Sequence, residues 1–189
     1  GAEMKIKYIL FLMLISVLAI SQDMKKFTDL NNEGARALLS KNYDKAISLF
    51  KQAIEIKSDD ADVYLNLGGA YKGKDDYDNA ITSFNKALSL KPDFTQGYVA
   101  LGDLYLWKKQ NDEAIKNYLK AVDLFVPSPE VYSNLGFLYK EKKNYTKSIE
   151  YYQKAVDKGS DKNEIFYSIG LDYLELNKTD KAIEYFEKY

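Results

Sequence analysis

The sequence predicts an all-α solenoid of stacked helix–turn–helix units, and two observations carry that prediction. Five glycines, Gly34, Gly68, Gly102, Gly136 and Gly170, recur at one constant spacing without an insertion. A fixed period of this length marks supersecondary units that bury their apolar face only by stacking on their neighbours. Within each period the apolar residues return twice at helical spacing, with a short polar turn between. The period sets units 27–60, 61–94, 95–128, 129–162 and 163–189, the last of them incomplete.

The segment ahead of the first unit has a different character. Met4-Lys5-Ile6-Lys7 and the apolar run Tyr8 to Ile20 have the layout of a secretory signal, with Ala19 and Ser21 as small residues before a cleavage point. Residues 4–21 are therefore expected to be a signal peptide, or else an N-terminal apolar helix. Residues 22–26 are expected to be a short linker, and Gly1-Ala2-Glu3 a vector-derived remnant ahead of the initiator Met4. The 13 residues of the run reach roughly 20 Å as a helix against a hydrocarbon core of about 30 Å. Export to the periplasm or the medium is expected, with no stable membrane span after cleavage. The chain would be cytoplasmic or membrane-anchored only if the leader were not a cleaved signal.

The second unit shows the repeat most completely. Tyr64, Leu67, Gly68 and Tyr71 fall at i, i+3, i+4 and i+7, one face of a helix. A turn containing Gly73 and Lys74 follows, and a second helix opening at Asp78 carries Ala80, Ile81, Phe84 and Ala87 inward before Pro92 ends it. Asp44, Asp78, Asp112, Thr146 and Asp180 recur at one phase as N-cap candidates. The five glycines would let helices cross closely, which offsets the roughly 1 kcal/mol that glycine costs a helix relative to alanine. Ala46, Ala80, Ala114 and Ala182 would receive neighbouring aromatics. Of 17 tyrosines, 12 sit at four repeat positions, so the aromatic excess is expected to be core. In the fifth unit Ile183 and Phe186 are expected to face an absent neighbour. The chain is then either a fragment, the favoured option, or packs its bare end on another copy.

These residues resemble the tetratricopeptide repeat. The family pattern of an aromatic, Leu-Gly, Tyr, Ala, an aromatic, Ala and Pro reads here as Tyr64, Leu67-Gly68, Tyr71, Ala80, Phe84, Ala87 and Pro92. The third unit gives Tyr98, Leu101-Gly102, Tyr105, Ala114, Tyr118 and Ala121, with Val126 in place of the proline. The fourth gives Tyr132, Leu135-Gly136, Tyr139, Ser148, Tyr152 and Ala155, and the first is degenerate at Leu30, Glu33-Gly34 and Ala37. The resemblance covers 27–189. It implies a right-handed α-solenoid that acts as a protein–protein interaction scaffold and not as an enzyme.

Composition points the same way. With 27 basic and 28 acidic residues and a pI near 5.7, there is no field to hold phosphate backbones, and nucleic acid is not an expected partner. Cysteine and histidine are both absent. Their absence removes thiolate and imidazole chemistry and nearly every zinc or copper site, and no cofactor or metal is expected. Gly68 to Lys74 has the glycine and lysine spacing of a phosphate loop, but Asp75 stands where a magnesium-binding hydroxyl is required and no strand precedes it. Asp75, Asp76 and Asp78 lack the spacing of a calcium loop and read as a solvated turn. Asn144-Tyr145-Thr146 and Asn177-Lys178-Thr179 fit the glycosylation triplet.

The candidate site is the concave surface that the resemblance implies, lined by positions two, five, six, nine, twelve and thirteen of each unit. These positions supply Leu65, Val99, Leu106, Trp107, Phe137, Tyr167, Leu171 and Leu174, an apolar trough with Trp107 and Phe137 as anchors. Asn32, Asn66 and Asn134 share position six, where an amide pairs with peptide backbone through donor and acceptor together. Ala100 and Ser168 interrupt that ladder. The family's lysine-rich clamp for acidic C-termini does not map here, since Asn31, Ala35, Asn66, Gln96 and Ala100 occupy its positions and only Asn66 fits. The expected ligand is an unidentified protein or peptide, uncharged and extended or an amphipathic helix, bound by an adaptor in an envelope assembly. The alternatives are homo-oligomerisation through the uncapped last repeat and the arm of a larger protein continuing past Tyr189.

Overall fold

The computed structural model describes residues 2–125, 128–160 and 162–189. Ten α-helices and no strand are present among the described residues: α1 (Ala2–Leu39), α2 (Tyr43–Ile56), α3 (Ala61–Gly73), α4 (Tyr77–Leu90), α5 (Thr95–Trp107), α6 (Asn111–Leu124), α7 (Pro129–Glu141), α8 (Tyr145–Asp157), α9 (Lys162–Glu175) and α10 (Thr179–Glu187). They form two compact bodies, one ending at Gly97 and the other starting at Tyr98, within α5. Each odd-numbered helix pairs with the next as one hairpin of the expected repeat, and residue 126, where Val126 replaces the family proline, lies outside the described residues.

The glycine period has a single packing cause. A Cβ on Gly34 would stand 2.7 Å from Phe50, and one on Gly68 2.5 Å from Phe84. The same contact recurs as Gly102 on Tyr118 at 2.5 Å, Gly136 on Tyr152 at 2.7 Å and Gly170 on Phe186 at 2.4 Å. In every hairpin the first helix thus offers bare backbone to an aromatic at one fixed place on the second. Ala46, Ala80, Ala114 and Ala182 are fully buried, so the second helix is small where it meets its neighbours. None of the 12 repeat-phased tyrosines is exposed. Phe186 corrects the expectation for the last unit, because it fills the seat at Gly170 and is half-buried. Ile183 stays half exposed, as expected.

Two further expectations need correction. The second helices open two residues before the positions proposed as caps: Asn42, Asp76 and Asn144 are the N-caps, accepting from the amides of Lys45, Asn79 and Lys147 at 3.3, 3.3 and 3.2 Å. Asp44, Asp78, Asp112 and Asp180 lie in the first turn, where a carboxylate still favours the positive end of the macrodipole. Thr146 likewise lies in the first turn of α8, two residues past the N-cap Asn144. The turn itself is made by Lys41, Asp75, Lys109, Lys143 and Asn177, all at φ between 57° and 62°, so the chain must reverse before the next helix begins. Gly73 is not the turn residue. It closes α3, and a Cβ there would meet the Tyr43 ring at 2.3 Å. The second correction concerns residues 22–26, expected as a linker, which are helical because nothing between Met4 and Glu33 is glycine or proline and α1 runs through them.

One buried group departs from the repeat. Ala70, Leu104 and Leu138 are fully buried at the position where the fifth unit carries Asp172, also fully buried. Its carboxylate has Lys140 Nζ at 3.5 Å and lies beside Ser148, itself where other units have alanine, without a hydrogen bond of ordinary geometry. Burial pushes the Asp172 carboxyl above its usual range, against the smaller downward pull of Ser148 and Lys140, while the Glu175 charge adds to the rise. The native state therefore binds this proton more tightly than the unfolded chain, and stability falls as pH rises from the unfolded carboxylate range through the raised folded value. Replacing a buried charge by a well-packed apolar side chain is neutral to stabilising. Asp172→Leu is expected to raise stability in urea denaturation by about 1–4 kcal/mol at pH 7, with the gain shrinking towards pH 4. An equal gain at both pH values would show that packing, not charge, is responsible.

Candidate functional site

In the second body the first helices keep large apolar side chains in solvent. Trp107 at the end of α5 is 61% exposed, Phe137 on α7 44%, and Tyr167 and Leu174 on α9 46% and 43%. Helical spacing accounts for the display: Phe137 follows buried Leu135 by two residues, about 200° around the axis. Tyr167 stands in the same relation to buried Ile165 and Ile169. Its ring also packs on α10 and the residues after it, 5.7 Å from Phe186 and 5.4 Å from Tyr189. Leu171 is half-buried. Val99 and Leu106 are drawn in the other direction, packed against the core around Ala114, Ile115 and Tyr118, so they back the surface more than they line it. In the first body Leu65 and Asn66 are half-buried on α3, and Asn32 is exposed on α1.

The asparagines are not equivalent. Asn134 donates from Nδ2 to the Tyr118 hydroxyl at 3.0 Å, and that hydroxyl donates to Asp103 Oδ1 at 2.7 Å. Tyr118 is fully buried in the Gly102 seat, and burial, reinforced by Asp103, pushes its hydroxyl far above the ordinary tyrosine range. A buried hydroxyl without partners costs about 1–3 kcal/mol, so part of Asn134 is committed to the core. Tyr152 repeats the device one unit later with Ser168 as its partner, its hydroxyl pushed up to about 12 by burial. Position six therefore carries a polar residue at the same distance along the chain from each of these two tyrosines. Asn66 follows Phe50 at that distance too, and a phenylalanine asks for no such partner. Of the three asparagines expected at position six, Asn134 is explained by the buried aromatic, whereas Asn66 and Asn32, which has no seated ring before it, are not.

Asp103 went unnoticed in the sequence. The signal was there in the hydroxyls, since Tyr118 and Tyr152 replace Phe50, Phe84 and Phe186 at one phase and a buried hydroxyl must be paired. Asp103→Ala is expected to cost about 1–3 kcal/mol of stability in urea denaturation and far less in a Tyr118→Phe background. Equal costs in both backgrounds would remove the hydrogen-bond explanation.

Comparison with known proteins places this architecture. Models described as TPR repeat or tetratricopeptide repeat match residues 37–75 and 102–143, 61–94 and 164–189, and 129–158. No curated protein sequence matches the chain significantly. Among solved structures it is similar to a crystal structure of MamA protein, at 25% identity and a TM-score of 0.77 over 87% of this chain and 90% of that one. Residues 41 to the end of MamA from Desulfovibrio magneticus RS-1 give 25% identity and a TM-score of 0.75, over 86% and 92% of the two chains. A further MamA crystal structure gives 26% and 0.74, over 82% and 91%. With these models covering nearly all of the sequence from residue 37 and a glycine-seated aromatic in every hairpin, the chain belongs to the tetratricopeptide-repeat family.

Proposed function

We propose that this protein-interaction scaffold takes a peptide segment or partner surface on the exposed faces of its first helices, as an adaptor in an envelope assembly. The family supports the scaffold role. The observation that carries the finer reading is the display of Trp107, Phe137, Tyr167 and Leu174 in the second body, on helices whose other faces are well buried. Large apolar side chains held in water by a rigid element mark an interaction surface, and aromatic anchors contribute most of the affinity at such surfaces. The first body, by itself, offers the Asn66 amide, a group suited to peptide backbone. The balanced charge of the chain favours an uncharged partner, either an extended segment or an amphipathic helix with apolar anchors. The role involves no catalysis. The basic and apolar leader supports work in the envelope, reached by export.

The test compares the immobilised full chain with a Trp107→Ala/Phe137→Ala version of matched helicity, by quantitative mass spectrometry of what each retains from a detergent-solubilised envelope extract. The expected result is a protein retained at least tenfold less by the variant. Equal retention overturns the surface, and retention of nothing by a chain whose sedimentation shows concentration-dependent association replaces a foreign ligand with self-assembly. Fractionation that finds the chain only in the cytoplasm overturns the envelope role.

A further inference from the structure

The first half of α1 is the largest apolar surface on the described chain that no part of the chain covers. Every large apolar residue from Met4 to Ile20 is at least 47% exposed, and nothing in α1 before Phe27 is buried. A helix that docks on a protein surface is apolar along one stripe, whereas Tyr8 to Ile20 is apolar on all sides. Only a medium that surrounds the helix matches that distribution. We infer that this segment is a lipid-spanning anchor retained on the mature protein, continuous with the first helix of the array, which therefore stands directly on the membrane surface.

The uncharged run continues past Ile20 to Gln22, and the flanking lysine stems supply the rest of the span. An 18-residue window within α1 has a mean hydropathy of 2.0 and no buried residue. The window includes charged residues at its edge; its uncharged part, Tyr8 to Gln22, is 15 residues, or about 22 Å at 1.5 Å per residue, against about 30 Å of hydrocarbon. Lys5 and Lys7 at one end and Lys25 and Lys26 at the other extend their stems across the remaining distance. Polar groups within the apolar run are few, and the Ser16 hydroxyl is satisfied inside the helix, donating to the Met13 carbonyl at 2.8 Å. A helix with its polar groups paired internally is what a bilayer tolerates.

Retention follows from the same continuity. Cleavage after Ser21 takes extended backbone through Ala19 to Gln22, and a segment with no glycine or proline, continuous as α1 into the first repeat, disfavours that conformation. The height of the array is then set by counting. From Gln22, where the uncharged run ends, to Phe27, the first buried residue, is five residues, or about 7 Å of helix, comparable to the headgroup layer of one leaflet. Phe27 lies under the Lys57 ammonium, 5.4 Å from its ring centroid, and joins the core of the first body. Packing thus begins where the headgroups end, and Lys25 and Lys26 lie at the depth where anionic lipid attracts cations.

The experiment uses the full chain with a C-terminal tag, expressed in cells with an intact secretion pathway. Intact-mass spectrometry is expected to find a chain that retains residues 4–21, in membranes that resist extraction at alkaline pH. A mature chain beginning at Gln22 overturns the proposal, as does an uncleaved chain that alkaline buffer releases. Leu12→Arg/Ile15→Arg should move the protein to the soluble fraction with its helicity kept, and an unchanged membrane fraction would overturn the span. Because the chain lacks cysteine, spin labels at Ser21→Cys and Leu39→Cys in phosphatidylcholine vesicles read the continuity directly. One narrow distance of about 27 Å is expected if the helix between the two labels is unbroken, and a broad distribution would overturn the mount.

Discussion

Each hairpin depends on one contact, an aromatic ring laid against helix backbone where a glycine leaves no Cβ. The distances a Cβ would face, 2.4 to 2.7 Å across the five units, are too short for any side chain larger than hydrogen unless the ring moves. The consequences run outward from there. The ring fixes how close the two helices lie and buries Phe50, Phe84, Tyr118 and Tyr152 almost completely, and the glycine spacing stays constant along the chain because the seat must recur in every unit. Turn residues at positive φ and N-caps two residues before the aspartates serve that geometry by bringing the second helix back at the right register.

The fold was legible because close packing leaves a mark in composition. Glycine in a helix costs stability unless something needs the space, so five glycines in phase announce five contacts even though the sequence does not say with which atoms. The caps were legible only as a phase. Asp44 and Asp78 satisfy the rule for a capping side chain, and what excludes them is the helical conformation of Tyr43 and Tyr77, which a propensity argument does not see. Phe186 was assigned to an outer face although it shares the phase of the four seated rings.

The candidate site was less legible, because surface and core share the same helices at one-residue resolution. Val99 and Leu106 satisfy the positional rule for the trough, yet their side chains pack on the core around Tyr118. Asn134 satisfies it too, but spends a donor on a buried hydroxyl. What distinguishes display from burial is the partner each side chain finds, and that depends on replacements elsewhere in the chain, such as tyrosine for phenylalanine in the seat. The leader shows the opposite case. Its apolar character was plain from composition, while its reach was underestimated, because the absence of a helix breaker matters more to its length than the edge of the apolar run.

The seat itself is most directly tested by a thermodynamic cycle at Gly68 and Phe84 in the second repeat, followed by urea denaturation. Gly68→Ala alone is expected to destabilise by about 1–3 kcal/mol, as overpacking outweighs the gain in helix propensity. In a Phe84→Ala background, where the ring is gone, the same substitution is expected to stabilise by up to about 1 kcal/mol. A reversal of sign places the cost of the methyl group on the ring. If Gly68→Ala has the same effect in both backgrounds, the ring is not what the glycine serves, and the account of the period fails.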